Sequence, residues 1–260
     1  MPTPAHAHRA VAESFGIDPE RYDRTRPAYP HELVERIAAA SPGPDVLDVG
    51  CGTGIAARQF VAAGCRVLGV DPDERMLAVA RRHGISAEVA RFEDWDPAGR
   101  TFDVVVAGQT WHWVDPARGA AAAARVLRPG GRIAVFWNVG RPPDELADAV
   151  AAIYARLAPE LPALPPGATA LAQYEAGLGP VEDGMRAAGF GEPERWRAHH
   201  EVRYTRATWL DLVPTHGGHN LLPPDRLAVL LDELGAAVDA VGGEFAMRYD
   251  AVAVTAVLPA

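Results

Sequence analysis

The feature that most constrains this chain is the run Val46-Leu47-Asp48-Val49-Gly50-Cys51-Gly52-Thr53-Gly54, a short apolar strand that passes straight into a loop with glycine at every second position. Such alternation removes the side chains that would hold backbone N–H groups away from a bound molecule, and Ile55 to Val61 reads as the helix closing a βα turn. An α/β fold is therefore expected, with a ligand held at Gly50, Gly52 and Gly54. Gly52-Thr53-Gly54-Ile55-Ala56-Ala57 also fits the G-x-G-x-x-A spacing of dinucleotide loops, so spacing alone leaves two ligands open. Asp48 separates them. A carboxylate two residues before the first glycine repels a pyrophosphate but suits a ligand carrying an ammonium group and a sulfonium.

The same residues resemble the first motif of the class I S-adenosylmethionine-dependent methyltransferases. Leu127-Arg128-Pro129-Gly130-Gly131-Arg132 ahead of an apolar strand is also typical of that class, and the resemblance covers residues 15–137. It implies S-adenosyl-L-methionine as cofactor, S-adenosyl-L-homocysteine as product, and a Rossmann-like doubly wound sheet of seven strands, the last antiparallel. Upstream, Tyr22-Asp23-Arg24-Thr25-Arg26-Pro27-Ala28-Tyr29-Pro30 resembles a segment of the methyltransferase type 11 group, among small-molecule enzymes related to the trans-aconitate methyltransferases. There the segment folds over the cofactor pocket, which implies that Tyr22 and Arg26 approach the methionine carboxylate. On its residues alone it is a proline-held extended stretch before a helix from His31 to Ala40.

Taken in order, Val11 to Gly16 is expected as a short helix, Cys65 to Val70 as a second strand ending at Asp71, and Asp73 to Arg82 as a helix. An acid at such a strand end accepts from ribose hydroxyls, or caps the helix that follows. Pro72 and Met76 would flank the adenine or belong to the core. A third strand, Ser86 to Ala90, leads to Phe92, Glu93 and Asp94. Phe92 would meet the adenine ring, and one of the two acids would accept from its exocyclic amine. The fourth strand, Phe102 to Ala107, runs toward Gln109 and His112. Gln109 would meet the methionyl part of the cofactor, and His112 the acceptor, as a general base or by hydrogen bonding alone. Trp113 reads equally well as core. A helix from Pro116 to Leu127 and a fifth strand from Arg132 to Trp137 follow.

Beyond Trp137 the motifs thin out. Helices are expected at Pro142 to Leu157 and Val181 to Ala188, with a Pro-, Ala- and Gly-rich loop from Ala158 to Gly179 between them. Trp196 to Tyr204 is a strand, and Phe245 to Leu258 a last strand returning antiparallel to it at the sheet edge. Thr208 to Val213 and Pro224 to Val241 are helical segments where a hairpin would need only a few residues, so 205–243 is expected to form a lid. The expected organisation is one domain over 1–260, with an N-terminal helical clamp at 9–40, a cofactor core at 41–137 and a substrate-side half at 138–260.

A formal charge of −9, with no Lys and no cluster of Arg, argues against a nucleic-acid or anionic-membrane partner. Two cysteines and an N-terminus without an apolar core point to the cytoplasm. His216 and His219 have a metal-like spacing but no third ligand nearby, so no metal is expected. The absence of a G-x-S-x-G elbow argues against a hydrolase. The expected function is methyl transfer from S-adenosylmethionine to an O, N or activated C nucleophile of a small-molecule acceptor, by in-line displacement at near-attack distance. A nucleotide-dependent oxidoreductase and a non-catalytic S-adenosylmethionine-binding protein are the alternatives. The sequence carries no signal for oligomeric state.

Overall fold

The computed structural model describes residues 9–161 and 170–260. The chain opens with α1 (Arg9–Ser14), α2 (Pro19–Thr25) and α3 (His31–Ala39). An alternating run follows: β1 (Asp45–Val49), α4 (Ile55–Ala62), β2 (Arg66–Asp71), α5 (Glu74–Arg82), β3 (Ser86–Val89), β4 (Phe102–Gly108), α6 (Pro116–Val126) and β5 (Leu127–Arg141). The second part contributes α7 (Asp144–Leu157), α8 (Ala170–Ala176), α9 (Gly179–Ala187), β6 (Glu194–Thr205), α10 (Arg206–Leu212), α11 (Pro224–Ala240) and β7 (Glu244–Val257).

The strands form one seven-stranded sheet in the order β3-β2-β1-β4-β5-β7-β6. β1 to β5 run parallel, and β7 is antiparallel to both of its neighbours. The winding reverses between β1 and β4, the place where open α/β sheets leave a crevice at their carboxyl ends. Helices cover both faces. Leu47, Val49 and Val105 pack with Trp111, Val126 and Met185 on one side, and Val46, Val104 and Val106 with Leu33, Ile37 and Phe60 on the other.

The structure corrects several expectations. β7 is not at the edge: it lies between β5 and β6, and β6 is the edge strand. Burial explains the order, because Ala251 to Ala256 is buried without a break, whereas β6 exposes Arg195, Arg197, Glu201 and Arg203, charges that suit an unpaired edge. β5 runs on past Trp137 to Arg141 because its ladder with β7 continues to the Arg141 and Arg248 pair. Tyr22 to Thr25 is helical rather than extended. Pro19 opens α2 behind the Asp18 cap, which accepts from the Arg21 N–H, so the prolines hold only the stretch before α3 extended. The expected loop at 158–179 contains α8, whose Leu171 and Tyr174 pack on the main core; its residues 162–169 lie outside those described.

The expected lid segment has its own apolar cluster. Trp209 and Leu212 of α10 and Leu230, Leu234 and Val238 of α11 pack with Leu146 and Ile153 of α7 and with Phe245 and Tyr249 of β7. Thr205 and Thr208 form a reciprocal cap at the start of α10. The N-terminal helices dock on this element. Arg21 Nε and Arg24 Nε donate to the two carboxylate oxygens of Asp211 at 2.8 and 2.9 Å, and Arg26 Nη2 donates to the Thr215 carbonyl.

Candidate active site

The carboxyl ends of β1, β2, β4 and β5 open into a cavity of about 1120 Å³. Single small-molecule pockets occupy roughly 300–1,000 Å³, so this cavity stands at the upper end of that range. Tyr22, Arg26, Gly50, Gly52, Asp71, Pro72, Met76, Phe92, Glu93, Gln109 and His112 all lie on its wall. Asp48 and Gly54 do not.

The loop after β1 owes its shape to glycine. Gly50 and Gly52 sit at φ +62° and +54°, where other residues are strained. A Cβ on Gly50 would stand 2.0 Å from Thr110 Cγ2, whereas one on Gly52 would meet nothing nearer than Met76 Cε at 3.4 Å. Gly52 thus leaves a cradle open to the cavity. Thr110 Oγ1 donates to the Gly50 carbonyl at 2.9 Å and ties the loop to the end of β4.

Asp71 Oδ2 accepts from the Gly52 N–H and Oδ1 from the Asp73 N–H, both at 2.9 Å. The side chain capping α5 is that of Asp73, which accepts from the Arg75 N–H. Each Asp71 oxygen keeps a lone pair for a further donor, as a ribose diol would require. Burial raises its pKa to about 6, and the two N–H donors pull the other way. Of the paired acids after β3, Asp94 is engaged by Arg118 at 2.6 Å, whereas Glu93 is on the wall and accepts from the Asp115 N–H. Gln109 adopts φ +55°, a costly conformation for a side-chain-bearing residue. Its Nε2 donates to the Asn138 carbonyl at 2.8 Å, which leaves Oε1 as the acceptor for a ligand.

Asp48 lies behind the loop and is buried; neither of its oxygens makes a well-formed hydrogen bond. Burial first, and then the charge of Asp71, push its carboxyl up to about 8, against the pull of the Ala57 N–H. A folded pKa above the unfolded value means stability that is present below about pH 4 and is lost as pH rises through about 8. Asp48→Asn removes that loss. The stability gap between variant and wild type should widen from pH 5 to pH 8, by at most about 1.4 kcal/mol per pH unit, and then level off. Denaturant melts of the ligand-free protein at several pH values would show it, and a gap independent of pH would mean that Asp48 is ionised throughout.

In the turn after β4, His112 Nδ1 accepts from the Trp137 indole N–H at 3.2 Å, which fixes the ring proton on Nε2. Burial lowers the His112 pKa to about 4. Tyr154 OH pairs with His219 Nε2 at 2.7 Å, and His216 meets His219 edge to face. Among the described residues no group of three or more His, Cys, Asp or Glu is placed to hold a metal ion. Nor is any helix there long and apolar enough to cross a membrane. Tyr154, Tyr174, Tyr249 and Asn138 are wall residues that the sequence reading missed. Only Tyr154 carried a signal, since Ala147, Val150, Ala151 and Tyr154 recur at helical spacing on α7.

Residues 47–135 match the model of a methyltransferase domain family. The chain is 34% identical over 249 residues to the nocamycin O-methyltransferase of Saccharothrix syringae, a match covering 82% of this chain and 85% of that protein. It is 40% identical over 135 residues to an uncharacterized methyltransferase of Mycobacterium tuberculosis. That match covers 51% of this chain and 55% of the relative, so the chain spans about half the length of the relative. Among solved structures, a candidate type II methyltransferase from Anaeromyxobacter dehalogenans superposes with a TM-score of 0.65 at 27% identity, over 90% of this chain and 98% of that one.

Proposed function

The chain belongs to the class I S-adenosylmethionine-dependent methyltransferases, and on that premise we propose that it moves a methyl group from S-adenosylmethionine to an oxygen of a small-molecule acceptor. The observation that carries this reading is one cavity whose wall holds the glycine cradle and Asp71 together with His112, Trp113, Tyr154, Tyr174 and Tyr249. Asp71 would take the ribose hydroxyls. Phe92, Pro72 and Met76 would enclose the adenine, with Glu93 accepting from its amine. Gly50, Gly52 and Gln109 would hold the methionyl part, with Gln109 Oε1 toward the ammonium, and Tyr22 and Arg26 close over it.

When bound, S-adenosylmethionine supplies a methyl group already activated on a sulfonium. What remains for this chain is to seat the acceptor in line and to exclude water, and proximity of this kind can supply roughly 7–11 kcal/mol of a barrier. The nocamycin relative bears an O-methyltransferase name, which supports oxygen as the methylated atom.

Calorimetric titration should give binding of S-adenosylmethionine and S-adenosylhomocysteine but none of NAD(H). Incubation with methyl-labelled cofactor and a panel of small acids, phenols, amines and indoles should place label on oxygen. Binding of NAD(H) in preference would overturn the cofactor, and label on nitrogen or carbon would overturn the acceptor atom.

A further inference from the structure

His216 and His219, too few to hold a metal, lie on the cavity wall with Tyr154 of α7. From Asn138 onward, the described residues of that wall include no carboxylate, lysine or arginine. Val150, Trp209, Leu212 and Met247 supply apolar surface there. Burial lowers the His219 pKa to about 4 and takes that of His216 well below the ordinary range, so both rings are neutral near pH 7. Arg26 is the cation whose charge they feel, and in methyl transfer it is taken by the cofactor's carboxylate.

The polar atoms of this part of the wall are arranged to accept. Tyr154 Oη stands 2.7 Å from His219 Nε2. The His216 and Gly217 carbonyls favour a proton on the His219 ring, and Nδ1 is the nitrogen left for it, although Nδ1 meets neither carbonyl at good geometry. Tyr154 therefore gives its own hydrogen to Nε2, and its oxygen is left to accept. Tyr249 is already engaged with Tyr204, hydroxyl to hydroxyl at 2.9 Å. Asn138 Oδ1 is a second acceptor: it is buried without a partner, while Nδ2 donates to the Ala28 carbonyl at 3.0 Å. A buried acceptor is unfavourable until a donor joins it, and an unpaired charge brought into such a lining is more so.

Resting on the reading of methyl transfer to oxygen, we infer that the acceptor is an uncharged molecule with an apolar body, and that a hydroxyl on it donates to Tyr154 Oη, which His219 holds as an acceptor. Tyr154 is then a specificity residue and His219 the positioning residue behind it. The contact selects the acceptor and moves no proton. A hydroxyl satisfies the tyrosine lone pair, whereas a methyl group of similar size leaves it unpaired. A carboxylate sets lone pairs against lone pairs and finds no cation once Arg26 is taken. An ammonium group could donate, but it gives up its hydration where no carboxylate replaces it.

The test uses the protein loaded with S-adenosylhomocysteine and titrated with meta-substituted acetophenones that differ only in carrying hydroxyl, methyl, carboxylate or aminomethyl. The hydroxyl member should bind about 3–10-fold more tightly than the methyl member, the range of one neutral hydrogen bond, and more tightly than either charged member. Tyr154→Phe should erase the preference for hydroxyl over methyl with S-adenosylhomocysteine affinity changed less than about threefold. His219→Gln should keep most of the preference, because its side-chain carbonyl can accept the same tyrosine hydrogen. Three results would each overturn the inference: a wild type that binds the hydroxyl member no better than the methyl member or not at all, a charged member that binds as tightly, or an undiminished preference in Tyr154→Phe. Loss of S-adenosylhomocysteine binding in Tyr154→Phe would overturn it too, by placing Tyr154 at the cofactor. Failure of the wild type to bind S-adenosylhomocysteine would instead overturn the methyl-transfer reading itself.

Discussion

Replacing Gly52 by valine should abolish measurable binding of S-adenosylmethionine and S-adenosylhomocysteine while the chain still folds. The protein side of the position is open, since a Cβ there has Met76 Cε, the far end of a flexible side chain, as its nearest neighbour at 3.4 Å. The isopropyl group would therefore project into the cavity and cover the N–H groups that the loop presents. A loss of at least 100-fold is expected, or about 2.7 kcal/mol. Holding valine at φ +54° costs a further ~1–2 kcal/mol of stability, a drop of roughly 2–8 °C in Tm. Gly50→Val is the poorer probe, because its Cβ would collide with Thr110 at 2.0 Å and damage the fold itself. Calorimetry alongside a thermal melt reads both quantities. An intact melt with unchanged affinity would mean that the ligand is not seated on this loop.

The β1 loop was legible because its chemistry is local: strand, turn and helix start follow one another within Val46 to Val61, and Asp71 ends the next strand in the same way. Side-chain direction was less accessible. Asp48 shares the β1 face of Val46, which α3 and α4 cover, whereas the cavity is reached from Val49 onward. Its charge class was readable, but not its place behind the loop. Glu93 and Asp94 are neighbours in sequence, and the partners that tell them apart, the Asp115 N–H for Glu93 and Arg118 for Asp94, come from a later segment of the chain.

The partner of β5 was hidden for a different reason. The Arg132 and Val257 pairing joins opposite ends of the second half of the chain, and neither strand encodes its neighbour. The tyrosines of the cavity wall are hidden likewise, because Tyr154, Tyr174 and Tyr249 come from α7, α8 and β7, and each alone reads as ordinary core. His216 and His219 were legible as a pair, yet their spacing says nothing of Arg26, which reaches them from the N-terminal helices.

His112→Gln should keep turnover within a few-fold of wild type, whereas His112→Ala should lower it about 100-fold with cofactor affinity nearly unchanged in both. A general base needs a free lone pair and a pKa near the working pH. His112 has neither: its Nδ1 lone pair is taken by the Trp137 N–H, and burial holds its pKa at about 4. A folded pKa below the unfolded one leaves the ring neutral above about pH 5, so it contributes no ionisation to the rate between pH 6 and 9. Its Nε2–H is then a donor, able to orient an acceptor oxygen. Glutamine reproduces both contacts, its carbonyl accepting from Trp137 and its amide N–H donating onward. Alanine leaves the indole N–H of a buried tryptophan unsatisfied, at ~1–3 kcal/mol, and lets the acceptor drift, where a shift of about 1 Å can cost 10²-fold. Trp137→Phe should act as a milder His112→Ala, since it frees the tautomer without removing the ring. The measurements are kcat and KM for all three variants across pH 6–9. If glutamine is as slow as alanine, and both lose a rate limb near pH 6.5 that the wild type shows, the ring is taking a proton and His112 is the base.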